Sequence, residues 1–319
     1  MKRLTIQKGA TNITVADATT EFMRHCKVKN LSPQTIRYYE GVLKIFQVFL
    51  GADVSMQDVD SDVIDSFILR QQECTSDVSV NTRLRGVRAF LYYCMSKGYC
   101  SSFKIRLTKQ NEVLKMTYTD EELQLLLKKP DLKGCSFTDY RNWAVVNFLL
   151  GTAVRVSTLI NIKVADIDLT ESILLVRHAK NRRQCVIPIS RSLNKVLVEY
   201  LTYRNHENGD EYMFCNQYGK KLTPEALEHA VTKYGKRKGV EGVSCHRFRH
   251  TFSKNYILEG GDVFRLQKIL GHSTMEMVKK YVNLYGNEVS KDFNRYNILE
   301  RVSQDKTVIK MEKGNRDGK

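Results

Sequence analysis

Apolar residues recur at helical spacing through most of the chain. After the breaker Leu31-Ser32-Pro33, the residues Ile36, Tyr39, Leu43, Phe46, Phe49 and Leu50 fall on one stripe, the mark of an amphipathic helix. Ser32 is placed to cap that helix and Pro33 to take its first position. A second strong stripe runs through Val80, Leu84, Val87, Phe90, Leu91 and Cys94 and stops at Lys97-Gly98, and weaker ones cover residues 15–28 and 61–73. Four such helices make a small bundle. Residues 101–115 are polar and show no period, which marks a domain boundary. A helix start then follows at Tyr118-Thr119-Asp120-Glu121-Glu122-Leu123, and helical patterns cover 120–128, 138–150, 191–204, 224–238, 247–258, 263–270 and 274–282. The one convincing strand pattern is Ile173 to His178, a polar turn from Ala179 to Arg182, and Arg183 to Ile189, which reads as a hairpin. The expectation is a mainly α protein with a small β-sheet: a helical domain over 12–108, an α+β domain over 115–300 and a polar tail over 301–319.

A length of 319 residues suits two domains, and 42% hydrophobic with 27% charged residues is an ordinary globular composition. The longest nearly apolar stretch, Trp143 to Leu150, is far too short to span a membrane. The N-terminus is basic with no apolar segment behind it. No membrane association and a cytoplasmic location are therefore expected. The net charge is +16, which favours a polyanionic partner, with nucleic acid ahead of an anionic membrane surface. It is spread as +6 over residues 1–110, +7 over 111–300 and +3 beyond, so more than one part of the chain is suited to touch nucleic acid. On the second N-terminal helix, Arg83, Arg85 and Arg88 form either a solvated face or a phosphate-contacting one.

The eight cysteines include no CxxC pair and read as reduced thiols rather than zinc or redox ligands. Cys245 adjoins His246, but neighbours on a helix point apart. The run Asp58, Asp60, Asp62 imitates a calcium loop, yet Val63 and Leu69 stand where glycine and the bidentate glutamate belong; helix capping before Val63 explains it better. GxxxxGK, GxGxxG, HExxH and GxSxG patterns are absent from the sequence, so nucleotide hydrolysis, dinucleotide redox, zincin and serine hydrolase readings lack support.

In the second domain, basic and phenolic residues stand at element ends: Arg155 in GTAVRVSTL, Lys180 in HAKNRRQCVIPI, His246 and Arg249 in HRFRHTF, His272 and Tyr281 in KILGHSTMEMVKKYV. Singly each is unremarkable. In this order and spacing the set resembles the tyrosine recombinases, the phage integrase-type site-specific DNA recombinases. The resemblance extends to the first domain, where LSPQTIRYYEGVLKIFQVFL and VNTRLRGVRAFLYYCMSKG look like the DNA-clamping helices of the family's SAM-like core-binding domain. Two positions depart from the family pattern: Thr158 stands where Glu is common and Ala153 where Gly is common. Neither removes a group that handles phosphate, so packing rather than chemistry should differ. The chain shows no further domain before residue 12, which fits the two-domain Xer-like or transposon integrase form.

The resemblance implies Arg155, Lys180, His246, Arg249, His272 and Tyr281 as catalytic residues, with no metal and no cofactor. Phosphodiester cleavage without a metal requires fixed cationic donors for the developing charge, and two arginines meet that need with bidentate geometry. His272 adds a hydrogen bond to a nonbridging oxygen. Holding a tyrosine as phenolate at neutral pH costs roughly 4 kcal/mol, so a base is needed, for which His246 is the expectation. Lys180 on the hairpin protonates the leaving 5′ oxygen. Tyr281 is the nucleophile, with Tyr285 as its rival on the same helical face. DNA contacts are expected from Thr35, Arg37, Tyr38, Asn81, Arg83, Arg85, Arg182 and Arg183. The run Lys233, Lys236, Arg237 and Lys238 is either phosphate-contacting or solvated. By the same resemblance the protein works on double-stranded DNA sites as a homotetramer, with an accessory DNA-bending protein as a further partner. Residues 288–302 are the candidate helix passed between protomers. A type IB topoisomerase and a catalytically silent DNA-binding regulator are the alternatives.

Overall fold

In the computed structural model, which describes residues 12–109, 116–177, 184–271 and 274–285, the chain forms two compact units, residues 1–113 and 114–319. The first holds α1 (Val15–Val28), α2 (Pro33–Leu50), α3 (Ser61–Cys74) and α4 (Asp77–Lys97). Each helix contributes one phenylalanine to a row through the centre. Phe22 meets Phe90 edge-on at 5.6 Å, Phe90 meets Phe46 at 6.5 Å, and Phe46 meets Phe67 at 5.2 Å, the arrangement that ring quadrupoles favour. Local chemistry sets the ends. Ser32 caps α2 by accepting from the Thr35 amide, with Pro33 first in the helix. Asp60 caps α3 by accepting from the amides of Asp62 and Val63 at 3.0 Å, so the acidic run serves helix initiation. Gly98, left-handed at φ 76°, closes α4.

α2 and α4 approach closely at Gly86. A Cβ there would lie 2.9 Å from Val42 Cγ1 and 3.1 Å from the Tyr38 hydroxyl. That hydroxyl donates to the Thr82 carbonyl at 2.6 Å.

The second unit is built around α6 (Phe137–Thr152), which is buried on nearly every side from Tyr140 to Leu149, as expected of a helix without a polar stripe. Around it lie α5 (Asp120–Leu127), α7 (Val156–Leu159), α8 (Arg191–Tyr203), α9 (Pro224–Arg237), α10 (Cys245–Leu258), α11 (Val263–Leu270) and α12 (Glu276–Tyr285). Thr119 begins α5 with a reciprocal capping box through Glu122. The sheet is antiparallel in the order β1 (Ile167–Asp168), β2 (Ile173–Val176), β3 (Cys185–Pro188). Leu174 pairs with Ile187 and Val176 with Cys185, placing Leu174, Val176 and Ile187 in the core. β1 and α7, two and four residues long, were not anticipated because neither is long enough to show a period. The turn expected at 179–182, the expected tail over 301–319 and the candidate exchanged helix over 288–302 lie outside the described residues.

All eight cysteines are free. Burial pushes the Cys245 thiol up to about 12, so it is a packing group beside His246 rather than a nucleophile.

The expected DNA contacts of the first unit separate by burial. Arg37 and Arg85 are exposed. Thr35 is half-buried, its hydroxyl 2.8 Å from that of Ser32. Half-buried Tyr38 is held by Thr82, and half-buried Arg83 donates to Gln71. Asn81 corrects the expectation. It is 2% exposed, its amide donates to the Thr108 carbonyl at 2.8 Å, and its carbonyl accepts from the Thr108 amide at 3.0 Å. Both ends of the side chain are thus used to bind the segment after α4 to the bundle. Replacing Asn81 with Ala leaves the Thr108 backbone unpaired and should cost about 1–3 kcal/mol in urea unfolding, whereas Arg37→Ala and Arg85→Ala should stay within about 0.5 kcal/mol of the parent.

Candidate active site

The site forms where α6, α10, α11 and α12 end or cross. α6 stops at Thr152 because Ala153 turns left-handed, at φ 52° and ψ 23°. That conformation costs an L-residue roughly 1–2 kcal/mol, which explains the family's preference for Gly there. The Ala153 methyl is fully buried against Leu266, Leu270, Val278 and Tyr281. The turn delivers Arg155 to the start of α7, where its carbonyl accepts from the Thr158 amide at 2.9 Å. Thr158 itself is buried.

Arg249 is 7% exposed and bridges two helix ends, donating at 2.6 Å to the carbonyls of Ala153 and of Leu270. Arg155 donates to the Gly271 carbonyl at 3.2 Å. Gly271 caps α11 in the left-handed conformation, φ 58°, so the carbonyls that close two helices hold the two guanidiniums. Burial, with the neighbouring Arg155 charge second, presses Arg249 down to about 10. Burial also lowers Arg155, against a favourable effect of Tyr281. Both remain cations at neutral pH. An anion between them would be stabilised by both charges at once.

Tyr281 is 8% exposed on α12, close enough to both guanidiniums for a phenolate charge to favour their protonated forms. Its hydroxyl lies 2.7 Å from Nδ1 of His250, with ring centroids 5.7 Å apart. His250 was not anticipated. Its signal in the sequence is its place directly after Arg249 in HRFRHTF, four residues beyond His246 and hence on the same helical face. His246 is exposed and lines, with Met116, Glu241, Ser244, Arg247 and His250, a pocket of about 510 Å³. The structure thus brings together Arg155, Arg249 and Tyr281 and adds His250, while His246 stands one turn away. Lys180, Arg182, Arg183 and His272 lie outside the described residues, as does the side chain of the rival nucleophile Tyr285.

The placement of α10 is fixed from residues 117–122. The Tyr118 hydroxyl accepts from the Ser244 amide at 3.1 Å and donates to its carbonyl at 3.2 Å, and the Tyr118 amide donates to Thr251 Oγ1 at 2.9 Å. The Arg247 guanidinium lies 4.1 Å from the centre of the Tyr118 ring and pairs with Glu122 at 2.6 Å. Of the basic run, Arg237 pairs with Asp139 and Lys238 donates to the Lys128 carbonyl at 3.0 Å, while Lys233 and Lys236 are exposed. Among the described residues no group of three or more His, Cys, Asp or Glu side chains is placed to hold a metal ion, and no helix is long and apolar enough to cross a membrane.

A buried guanidinium, a half-buried one and a buried phenol, set on a helical domain with a three-stranded sheet and preceded by a four-helix bundle, define the class of integrase-like catalytic domains. The chain belongs to the phage integrase family: residues 116–288, more than half of the chain, match that family's model, and residues 20–98 match the phage integrase N-terminal SAM-like domain. It is 28% identical over 279 residues to the tyrosine recombinase XerC of Thermodesulfovibrio yellowstonii, covering 83% of this chain and 91% of that protein. It is 24% identical over 269 residues to the tyrosine recombinase XerD of Listeria innocua, covering 80% and 90%. Its fold is similar to that of the Tn1549 transposon integrase in complex with transposon right end DNA, at TM-score 0.74 and 19% identity, over 91% of this chain and 99% of that one. A lambda integrase dimer bound to a COC′ core site shares the fold at TM-score 0.68 and 16% identity, over 83% and 97%.

Because a tetrahedral oxyanion offsets the burial and mutual repulsion of the two guanidiniums, sulfate at tens of millimolar should raise the melting temperature of the protein. Arg155→Gln should remove most of that rise and Arg37→Gln should leave it, as read by calorimetry.

Proposed function

We propose that this chain is a site-specific DNA recombinase that cuts and rejoins DNA strands through a 3′-phosphotyrosyl intermediate, without a catalytic metal or ATP. The observation that supports it most is the convergence of Arg155, Arg249 and Tyr281 in one site, in a member of the phage integrase family. In this reading the guanidiniums grip the nonbridging oxygens of the scissile phosphate and stabilise the charge that grows on them during attack. Their charge also lowers the cost of ionising Tyr281. The phenol oxygen attacks phosphorus, its proton leaves through the histidines of α10, and Lys180 protonates the departing 5′ oxygen. His272 adds a hydrogen bond to the phosphate. The phosphoester bond energy is kept in the adduct, so a 5′ hydroxyl of the partner strand can reverse the step and complete exchange without ATP.

The partner in this proposal is double-stranded DNA at specific sites, met by exposed basic residues including Arg37 and Arg85, with Arg182 and Arg183 beside the hairpin. The net charge of +16 supports that choice. A homotetramer on two DNA sites, exchange of residues 288–302 between protomers, an accessory DNA-bending protein and a cytoplasmic location complete the proposal. A type IB topoisomerase or a silent regulator is less favoured, since the family match is to integrases and each catalytic position holds a competent residue.

Incubated in EDTA with nicked duplexes taken from the DNA bordering its own gene, the protein should form a covalent adduct on denaturing gels. Tyr281→Phe should abolish that adduct and keep the mobility shift on native gels; an adduct that survives the change contradicts the assignment. Lys180→Ala should cleave about 10²- to 10⁴-fold more slowly, the contribution of a general acid. A 5′-thio leaving group, which needs no proton, should restore its rate in single-turnover assays.

A further inference from the structure

Transfer of the Tyr281 proton needs an acceptor in contact with the phenol, and among the described residues His250 is a side chain that meets this requirement. We propose that His250 is the catalytic base of the strand-cleavage step, receiving the Tyr281 proton on Nδ1; this rests on the phosphotyrosyl reading above. The Nδ1 to Oη distance of 2.7 Å is that of a well-formed hydrogen bond. In the tautomer protonated on Nε2, Nδ1 accepts from the phenol.

Three features of the surroundings suit the role. The Tyr281 ring is packed against Ala153, Leu266, Leu270 and Val278, so the hydroxyl is held where it is rather than swinging among solvent positions. Beside it stand the two guanidiniums, whose charge favours the phenolate; they offer donors only and cannot take the proton. His250 is half-buried and also lines the pocket shared with Met116, Glu241, Ser244, His246 and Arg247, which gives a proton on the imidazole a route to water. His246 lines the same pocket, is exposed and stands one helical turn before His250.

The step balances as follows. The Oη–P bond forms as the phenol proton passes to His250 Nδ1, giving an imidazolium. The P–O5′ bond breaks, its electron pair stays on O5′, and O5′ takes a proton from Lys180. In rejoining, the incoming 5′ hydroxyl returns a proton to the Lys180 amine, Oη leaves phosphorus with the bonding pair, and the imidazolium restores the phenol.

The test is single-turnover adduct formation on nicked duplexes from the DNA bordering its gene, with His250→Leu and His250→Asn, the second keeping a polar group near the Nδ1 position so that packing is preserved. Each should form adduct about 100-fold or more slowly than the parent with unchanged DNA binding. The decisive readout is rescue: introducing at position 281 a fluorinated tyrosine whose phenol ionises near neutrality should restore most of the rate in either His250 variant, because an already ionised nucleophile needs no base. A purely structural defect would not be repaired this way. Parent-like rates in His250→Asn, a deficit that the acidic phenol leaves in place, or rescue confined to His246→Asn would each overturn the assignment to His250. Failure of the parent protein to form any Tyr281-dependent adduct would instead overturn the phosphotyrosyl reading itself.

Discussion

The second unit depends on holding two like charges side by side, Arg249 buried and Arg155 half-buried. Placing guanidiniums out of water is costly, and placing a second beside the first adds repulsion. Arg155 and Arg249 persist there because backbone carbonyls receive them: those of Ala153 and Leu270 for Arg249, and that of Gly271 for Arg155. These carbonyls belong to the ends of α6 and α11, where oxygens have no partner within their own helix. The same requirement accounts for the left-handed residues at Ala153 and Gly271. A helix that continued through either point would retain its carbonyls and leave the arginines without acceptors.

That arrangement ties folding to function. The protein itself orients the two guanidiniums, and preoriented donors stabilise negative charge with little reorganisation. Tyr281 is set by apolar packing on one side and by His250 on the other, and α10 is set in turn by Tyr118 and the Arg247–Glu122 pair. Tyr281, its neighbouring imidazole and one of the two cations therefore depend on the same two helices.

The N-terminal unit shows how burial divides residues that look alike in sequence. Asn81, Arg83 and Arg85 lie within one turn and a half of α4, and all three read as polar positions suited to DNA. The rotation of the helix against its bundle puts Asn81 inside, Arg83 partly inside against Gln71, and Arg85 outside. Periodicity located the apolar stripe, but a polar residue at its margin can be turned either way, and only the presence of the Thr108 backbone opposite Asn81 decides the outcome.

Much of the architecture was legible from the sequence. Helix periods, the Ser32-Pro33 start, the Asp60 cap and the Thr119 start of α5 depend on interactions within about four residues, and each hairpin strand pairs with the next strand in the chain, so their signals are local. The class of chemistry was legible too, through the resemblance of the whole set of motifs, in order and spacing, to the tyrosine recombinases. What the tertiary structure decided was pairing across distance. His250 and Tyr281 are 31 positions apart and Arg249 and Ala153 are 96 apart, and whether His246 or His250 faces the phenol depends on where along α10 the helix α12 packs. One turn of helix separates those two histidines, and the packing of the whole unit, rather than any local preference, sets which of them meets Tyr281.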